Sequence, residues 1–303
     1  MYPFLKEDAQ PLPKDEKKGI FRNIKALAAY KLGSTVLNGT DNIIITALFS
    51  VGNVGLVSNY VMINSAFTTI LGKITDAFTA SVGNLNVNTD TEKKYHVFKK
   101  IFFLCAWMFG FASVGILLLA DEVVTVWVGG KYVLDYSTVV ALTLSFYVSS
   151  MQYAAYAFRT TSGIFVEGRM APIAATVLNI VLSILMGRKM GLCGVFFATS
   201  ISRFFTIVVV DGMLIYRKLF NRSPLRYYGM YFAYLGLFVI LFFGIGKIIG
   251  LITVCGIPGL ILRILTVTLI FNAIMIAIFA NTDIFRELML SLRGIIRRKV
   301  KAG

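Results

Sequence analysis

The sequence predicts an all-α integral membrane protein, and three observations lead to this fold class. Hydrophobic residues make up 57% of the chain and charged residues only 15%, whereas a soluble domain has about 25% charged residues. Apolar stretches recur along the chain, each long enough for the roughly 17–25 helical residues that cross a bilayer. The connections between them alternate between basic and nearly uncharged. We place eight transmembrane helices at 24–49, 55–81, 101–120, 138–158, 171–187, 192–216, 229–250 and 259–280.

Short sequence signals mark where the helices end. The turn VGNVG joins the first two helices, and because it is so short these helices must be antiparallel neighbours. The third stretch, IFFLCAWMFGFASVGILLLA, contains no charge at all. Trp127, Tyr132 and Tyr136 follow it and are typical of a segment at the membrane–water boundary. Pro172 opens the fifth helix, where its missing N–H costs little. The motif GRKMG separates the fifth stretch from the sixth, and GIPG separates the seventh from the eighth.

The breaks between the stretches divide the chain into four parts. Residues 1–23 are polar, and we expect them to form a cytoplasmic linker. Residues 24–216 contain six stretches and are expected to form a six-helix transmembrane lobe. The basic break RKLFNRSPLRYY begins 217–280, which adds two transmembrane helices as a C-terminal appendage. Residues 281–303 form a basic cytoplasmic tail, which the spacing of its apolar residues allows to be an amphipathic helix.

The distribution of basic residues predicts the orientation of these helices. Of the 30 Lys and Arg residues, only Lys131, Arg188 and Lys189 fall in connections on one side. Most of the others lie in the terminal segments and in 82–100, 159–170 and 217–228. Cytoplasmic loops retain Lys and Arg. Both termini are therefore expected in the cytoplasm, with an even number of crossings.

Composition also argues against several classes of function. The net charge of +15 lies in short loops beside membrane helices, so it indicates contact with anionic lipid headgroups rather than with nucleic acid. Cys105, Cys193 and Cys255 are widely spaced, and His96 is the only histidine, so neither a disulfide framework nor a metal site is predicted. No soluble-enzyme or nucleotide-binding motif occurs, and we expect no cofactor.

Charged side chains inside the stretches are the candidate functional residues, because each one is costly in a bilayer. Arg203 lies about 17 Å from the start of its helix, close to the midplane, which favours a polar cavity and an anionic substrate. Lys31, Lys73 and Asp76 lie at a similar depth to one another, about 10 Å from the cytoplasmic ends of their helices. Two interpretations of these residues remain open: a structural Lys31–Asp76 or Lys73–Asp76 ion pair, or a role in a substrate pathway. Asp41 adds a carboxylate to the polar face of the first helix.

Charges closer to the helix ends have a simpler interpretation. Lys247 and Arg263 lie near the outer ends of the last two helices, from where their long side chains can reach water. Asp211 lies near the cytoplasmic end of the sixth helix and is expected to be solvated.

Six runs of residues, in order along the chain, resemble a known family of carriers. The chain is similar to the Wzx-like polysaccharide repeat-unit flippases of the multidrug/oligosaccharidyl-lipid/polysaccharide exporter superfamily. The runs occur in the family's order and span most of the chain, and they are individually weak. They are NGTDNIIITALFSVGNVGLVSNYVMI (38–63), TASVGNLN (79–86), VFKKIFFLCAW (97–107), VWVGGKYVL (126–134), AFRTTSGIFVEGRMAPI (157–173) and GLCGVFFATSIS (191–202).

The resemblance implies a protein of the bacterial plasma membrane that is not an enzyme. Such carriers move undecaprenyl-pyrophosphate-linked sugar units by alternating access between two helical lobes around a cationic cavity, without hydrolysing ATP. It implies substrate-pathway roles for Asp41, Asn59 and Tyr60, and for Arg159 and Arg169 in the connection that follows the fourth helix. Coupling of transport to protons or sodium ions is left open.

One departure from the family affects the expected partners. The chain begins in what resembles the linker between the two lobes, so a missing N-terminal half, or other polysaccharide-assembly proteins, would complete the carrier. Three alternatives remain. A non-transporting truncated gene product would lack the other lobe. A small-molecule exporter of the same superfamily would carry acidic residues deep in the cavity. A membrane glycan-processing enzyme is disfavoured because the connections are too short for a catalytic loop domain.

Overall fold

The computed structural model describes residues 13–88 and 90–290, and this part of the chain is helical with no β-strand. Helices account for 88% of it. Eight long helices follow one another, and the bounds of the sixth include two π-helical turns, at Phe204–Val208 and Ile215–Leu219. The helices are α1 Lys14–Leu48, α2 Val51–Asn88, α3 Thr91–Trp127, α4 Tyr136–Thr161, α5 Ala171–Met190, α6 Leu192–Leu219, α7 Leu225–Ile249 and α8 Gly256–Phe279.

Six of these helices are long and apolar enough to cross a membrane: α2, over Val51–Thr79, and α3, α5, α6, α7 and α8. The other two, α1 and α4, have the length but are more polar along their predicted stretches. For α1 the cause is Lys31, Asp41 and their polar neighbours. For α4 it is the sequence SSMQYAAYAF near its C-terminal end. The expected all-α membrane architecture is therefore present, with six helices that qualify on length and composition.

Each predicted apolar stretch lies almost wholly within one helix, and most helices continue beyond it. Helix α1 begins at Lys14, so residues 14–23 of the predicted linker are helical. The negative charges of Asp15 and Glu16 in its first turn interact favourably with the positive N-terminal end of the helix dipole. Residues 1–12 lie outside the described residues. At the other end of the chain residues 283–290 are helical, whereas the rest of the predicted amphipathic tail, 291–303, is not described.

A large hydrophobic core lies around α3 and includes α7 and α8. The α7 side chains Tyr227, Tyr231 and Phe238 are all buried in the same cluster as α3. Helix α8 is joined to α3 by a hydrogen bond of 2.9 Å from Trp107 Nε1 to Asn272 Oδ1. These two helices follow the others in the chain but pack as part of the same core.

The remaining helices pack on the other side of α4. Leu37 of α1, Ala171 and Ala175 of α5 and Ile207 of α6 form a second, smaller apolar cluster. Helices α1 and α5 also share a hydrogen bond of 3.1 Å from Thr176 Oγ1 to the Gly33 carbonyl oxygen. Helix α4 lies between the two clusters, since it packs against α2 and α3 as well as against α6.

The two ends of the bundle differ in charge. We call the end formed by Asp90 and the connections 162–170 and 220–224 the basic end, because the adjoining helix turns carry Lys93, Lys94, Arg217, Lys218 and Arg226. At the opposite end Arg263 lies 2.5 Å from Glu122 and donates to the Ile252 carbonyl oxygen at 2.7 Å, so the protein itself neutralises this arginine. Asp135 caps α4 there: partial burial opposes its ionisation, but hydrogen bonds from Ser137 and Thr138 outweigh burial and lower its pKa.

A close approach between α3 and α7 provides a test of this packing. The ring of Phe238 lies directly against Gly110, where a β-carbon would overlap it, whereas Gly115 on the same helix has open space. We expect Gly110→Ala to destabilise the protein by about 1–3 kcal/mol, as overpacking does. Gly115→Ala should leave stability unchanged or slightly raised. Thermal unfolding in detergent measures both, and equal melting temperatures would contradict the described α3–α7 contact.

Candidate functional site

A polar cavity of about 350 Å³ lies among α1, α2, α4 and α6. Its walls carry aromatic rings, amides and hydroxyl groups, together with two basic side chains. This combination of cationic and neutral polar groups in a hollow within the bundle suits a polar, negatively charged ligand. The cavity is lined by Tyr30, Lys31, Ser34, Asn38, Thr68, Phe146, Ser149, Ser150, Gln152, Tyr153, Tyr156 and Arg203.

Arg203 is the deepest basic residue in this cavity. Its side chain is 7% exposed, and one terminal nitrogen donates a short hydrogen bond to Asn38 Oδ1. Its Nε has no hydrogen-bond partner, and Arg203 forms no ion pair with any carboxylate in the described part of the chain. The guanidinium group is therefore held by an amide, and its charge is not neutralised by direct contact. The polar cavity that its depth predicts is present.

Asp41 belongs to a hydrogen-bond network that links α1, α5 and α6. Thr199 Oγ1 donates to Asp41 Oδ1 at 2.8 Å, and Asn179 Nδ2 donates to Thr199 Oγ1 at 2.9 Å. Thr40 donates to Asn179 Oδ1 at 3.1 Å. Asn179 is fully buried. The network places carboxylate, amide and hydroxyl oxygens close together, and these are the ligand types that hard cations prefer.

Arg159 has a different environment from Arg203. It is 2% exposed, and its Nε lies 2.9 Å from Oδ1 of Asp211, which is 0% exposed. Its guanidinium carbon lies 4.4 Å from the centre of the Tyr30 ring and 5.6 Å from that of Tyr156. The expectation that Asp211 is solvated is wrong, because Arg159 neutralises it inside the bundle. An arginine paired in this way is poorly placed to attract a substrate at the membrane surface.

Tyr30 and Tyr156 connect this ion pair to the cavity. Their rings stack with centroids 5.6 Å apart, and both line the cavity that contains Arg203. The pair Arg159–Asp211 is thus separated from the cavity by a single layer of aromatic rings. A structural role for Arg159, positioning the two tyrosines, agrees with this geometry.

The other predicted site residues are spread over the molecule. Lys31 is exposed and lines the cavity. Lys73 and Asp76 are exposed on α2, and neither the Lys31–Asp76 nor the Lys73–Asp76 ion pair is present, although all three residues are described. Arg169 is half-buried in the connection between α4 and α5 at the basic end.

Asn59 and Tyr60 lie away from the cavity, near the end opposite the basic end. Tyr60 is fully buried and donates to Asp121 Oδ1 at 2.6 Å, and its hydroxyl accepts from the Leu134 N–H at 3.2 Å. This satisfied hydroxyl ties α2 to the connection before α4. Asn59 borders a separate surface hollow with Val128 and Tyr132. The structure therefore does not bring this pair together with Arg203.

The face that α4 contributes to the cavity was missed by sequence reasoning. Ser149, Gln152, Tyr153 and Tyr156 recur at spacings of three and four residues, which places them on one side of a helix. All of them line the cavity. The spacing is visible in SSMQYAAY, at the C-terminal end of a stretch that is otherwise mostly apolar.

No group of three or more His, Cys, Asp or Glu side chains that could hold a metal ion occurs within residues 13–88 and 90–290. Comparison with known proteins finds no matching family model, no matching curated protein and no matching solved structure.

The buried ion pair makes a test of the structural role of Arg159 possible. Arg159→Met leaves the Asp211 carboxylate buried without its partner, and we expect a loss of about 3–5 kcal/mol of stability. The control is Lys218→Met, because the Lys218 ammonium group lowers the pKa of Glu167 in a pair whose partners are 49% and 41% exposed. An exposed pair contributes about 0–1 kcal/mol. Unfolding in detergent compares the two variants, and equal losses would contradict the assignment.

Proposed function

We propose that the chain is part of a membrane carrier whose cavity binds the anionic head of a lipid-linked oligosaccharide. The supporting observation is the Arg203 guanidinium, which lies in the wall of a polar cavity without a carboxylate partner. An arginine in this state has several N–H donors in a planar fork, and phosphate oxygens match that geometry. The pyrophosphate of an undecaprenyl-linked sugar unit is the substrate that the resemblance implies.

The rest of the cavity suits the neutral part of such a substrate. Gln152 and Asn38 offer amide groups, and Tyr30, Tyr153 and Tyr156 offer hydroxyls and flat apolar faces. Sugar hydroxyls both donate and accept hydrogen bonds, as these amides and phenols do. The lipid tail would remain in the bilayer, because the cavity is polar. Lys31 at the cavity wall adds a second positive charge for the two phosphates.

We further propose that all eight long helices cross the membrane, with the basic end in the cytoplasm of a bacterial cell. Helices α1 and α4 are the two that composition alone does not qualify. Their polar residues Asn38, Gln152 and Tyr153 line the cavity. A polar residue facing a hydrated cavity avoids the cost of contact with lipid. Both termini would then lie on the cytoplasmic side.

Alternating access requires a second body that moves against this one around the site. Helix α2 borders the cavity, and only 11% of its apolar span is buried within the bundle. The outer surface of α2 is therefore available to a second helical lobe, whether from a longer protein or from a separate chain. Other proteins of polysaccharide assembly are candidate partners in the same membrane.

Energy for transport has to come from an ion gradient if no nucleotide is hydrolysed, and Asp41 is the residue best placed to bind the ion. It contacts Thr199, which contacts Asn179 in turn, so three helices contribute to this site. Binding or release of a proton or a sodium ion at Asp41 would change the contacts among α1, α5 and α6. These are also the helices on which Asn38 and Arg203 lie.

The alternatives differ in what they require of the cavity. A carrier of small organic cations would place Asp41, rather than Arg203, in contact with substrate. A glycan-processing enzyme would need paired carboxylates in the cavity, and among the described residues no Asp or Glu lines it. A non-transporting product would leave Arg203 without any substrate to bind.

The proposal predicts the effect of removing the Arg203 charge. The measurement uses cells with the complete locus and a radiolabelled lipid-linked substrate. We expect Arg203→Ala to lower translocation by about tenfold or more, because the variant loses the charged hydrogen bonds to phosphate. A tenfold effect corresponds to about 1.4 kcal/mol of binding free energy. Arg203→Lys should retain part of the activity. Arg188→Ala is the matched control, because Arg188 is exposed at the end of α5. Unchanged translocation in Arg203→Ala would remove Arg203 from the mechanism.

A separate prediction concerns Asp41. We expect Asp41→Asn to abolish the dependence of transport on an imposed sodium or pH gradient, because the amide cannot take up a cation as the carboxylate does. The Asp76→Asn variant is the control, since Asp76 is an exposed carboxylate on the neighbouring helix. The measurement is transport into proteoliposomes of the complete carrier under each gradient. If both variants keep the gradient dependence, Asp41 is not the coupling residue.

A further inference from the structure

Helices α2 and α8 differ in the side chains that they expose. Those of α8, such as Ile261, Leu265 and Leu269, are all apolar, as expected of a surface that contacts lipid. Helix α2 exposes apolar residues too, but polar and charged side chains are exposed beside them. These are Ser58, Ser65, Thr69, Lys73 and Asp76. The outer surface of α2 is therefore unlike the lipid-facing surface of α8.

The five polar residues of α2 lie on one side of the helix, which we call the polar face of α2. Successive members are seven, four, four and three residues apart. At about 100° per residue, these spacings place all five within a sector of about 80°. Thr68 lies next to this sector and lines the Arg203 cavity. The polar face of α2 thus borders the cavity.

The two charges of the polar face have no partner within the described chain. Lys73 and Asp76 are exposed, and neither forms an ion pair with any described residue. Both lie within the apolar span Val51–Thr79. A charged group that faces hydrocarbon is costly, and aspartate lacks the long stem with which lysine can reach water. A protein surface with complementary charges would remove this cost.

The Arg203 cavity is open on the side where α1 and α2 border it. Lys31 and Asn38 line the cavity from α1, yet both are exposed. In a bilayer, hydrocarbon would reach these polar groups unless another protein surface covered them. A body placed against the polar face of α2 would close this opening and complete the cavity wall.

We propose that the polar face of α2 packs against the same face of a second copy of this chain. Lys73 of each copy would then pair with Asp76 of the other. Copies that cross the membrane in the same direction are related by a two-fold axis along the membrane normal, so their α2 helices run parallel. Lys73 and Asp76 differ in height by about 4.5 Å, a rise that an extended lysine side chain can span.

The balance of charge favours a second copy over a different partner. A two-fold interface brings the same patch of both subunits together, so the patch must complement itself. One lysine and one aspartate about a turn apart meet this condition and give two identical ion pairs. An unrelated lobe would have to supply its own acidic and basic residues in matching positions.

The second copy would be the second body that alternating access requires. The inference rests on the proposed function for its placement of α2 in the membrane, and it names the partner. It does not depend on the substrate. Association is measured without substrate, so its failure would leave the role of Arg203 unaffected, and failure of Arg203 in transport would leave the dimer unaffected.

The test is co-purification of two copies of the full chain that carry different affinity tags and are expressed together. After solubilisation in mild detergent, one tag is captured and the other is quantified. We expect wild-type copies to co-purify. Lys73→Glu in both copies, or Asp76→Lys in both, should lower recovery at least about fivefold, because like charges then meet across the interface. Lys189→Glu is the control, since Lys189 is exposed at the end of α5.

A mixed pair separates the interface from effects within one chain. One copy carries Lys73→Glu and the other Asp76→Lys, so opposite charges meet again at both contacts. We expect recovery to return to the wild-type level, which would also show that each variant folds. The proposal is overturned if wild-type copies do not associate, if the single variants associate as the wild type does, or if the mixed pair is not rescued.

A cross-linking arm needs no change of charge and uses native membranes. Thr69→Cys, in a chain with Cys255→Ser, places a thiol on the polar face of α2, and we expect oxidation to give a disulfide-linked dimer. Leu269→Cys in the same background is the matched control, because Leu269 is exposed on the apolar surface of α8. No dimer from Thr69→Cys, or equal dimer from both variants, would contradict the proposed interface.

Discussion

The Arg159–Asp211 ion pair is the interaction on which the arrangement of α1, α4 and α6 depends. Neither charge has access to solvent, so each must keep the other within reach. The guanidinium also lies against Tyr30 and Tyr156, and both of these rings line the polar cavity as well. The ion pair fixes the position of the Arg159 guanidinium, which in turn positions the two tyrosine rings in the cavity wall. Packing of apolar side chains alone would leave helices in a bilayer freer to shift, because lipid tails are as apolar as the core.

The buried arginines Arg159 and Arg203 differ in whether their hydrogen-bond partner neutralises the positive charge. Arg159 faces a carboxylate and two rings, and its charge is fully committed inside the protein. Arg203 faces the side-chain amide of Asn38, which orients the guanidinium without cancelling it. An amide can hold the side chain in one rotamer while the charge remains available to an anion. The cavity around Arg203 is a cationic hollow for this reason, even though Asp41 lies on the adjoining helix.

The long helices and the position of Arg203 along its helix could be predicted from the sequence, because both depend on local quantities: the length of an apolar stretch and the rise of a helix. The partner of Arg159 could not, since Arg159 and Asp211 lie 52 residues apart and only the packing of α4 against α6 brings them together. Tyr60 illustrates the same limit. Its hydroxyl would suit a substrate or a structural contact equally well, and the fold places it beside Asp121. The polar face of α4 was readable in principle, through its helical spacing.

The π-helical turns of α6 have a consequence for the length of this helix. A π turn holds one residue more than an α turn, and an α-helix rotates by about 100° per residue. The segment Phe204–Val208 lies between Arg203 and Asp211. Deleting one residue there would restore regular α-helical phase and swing the carboxylate about a quarter of a circle away from Arg159. The extra residue thus sets the angular offset between the two sites, and chains that share both sites should share the insertion.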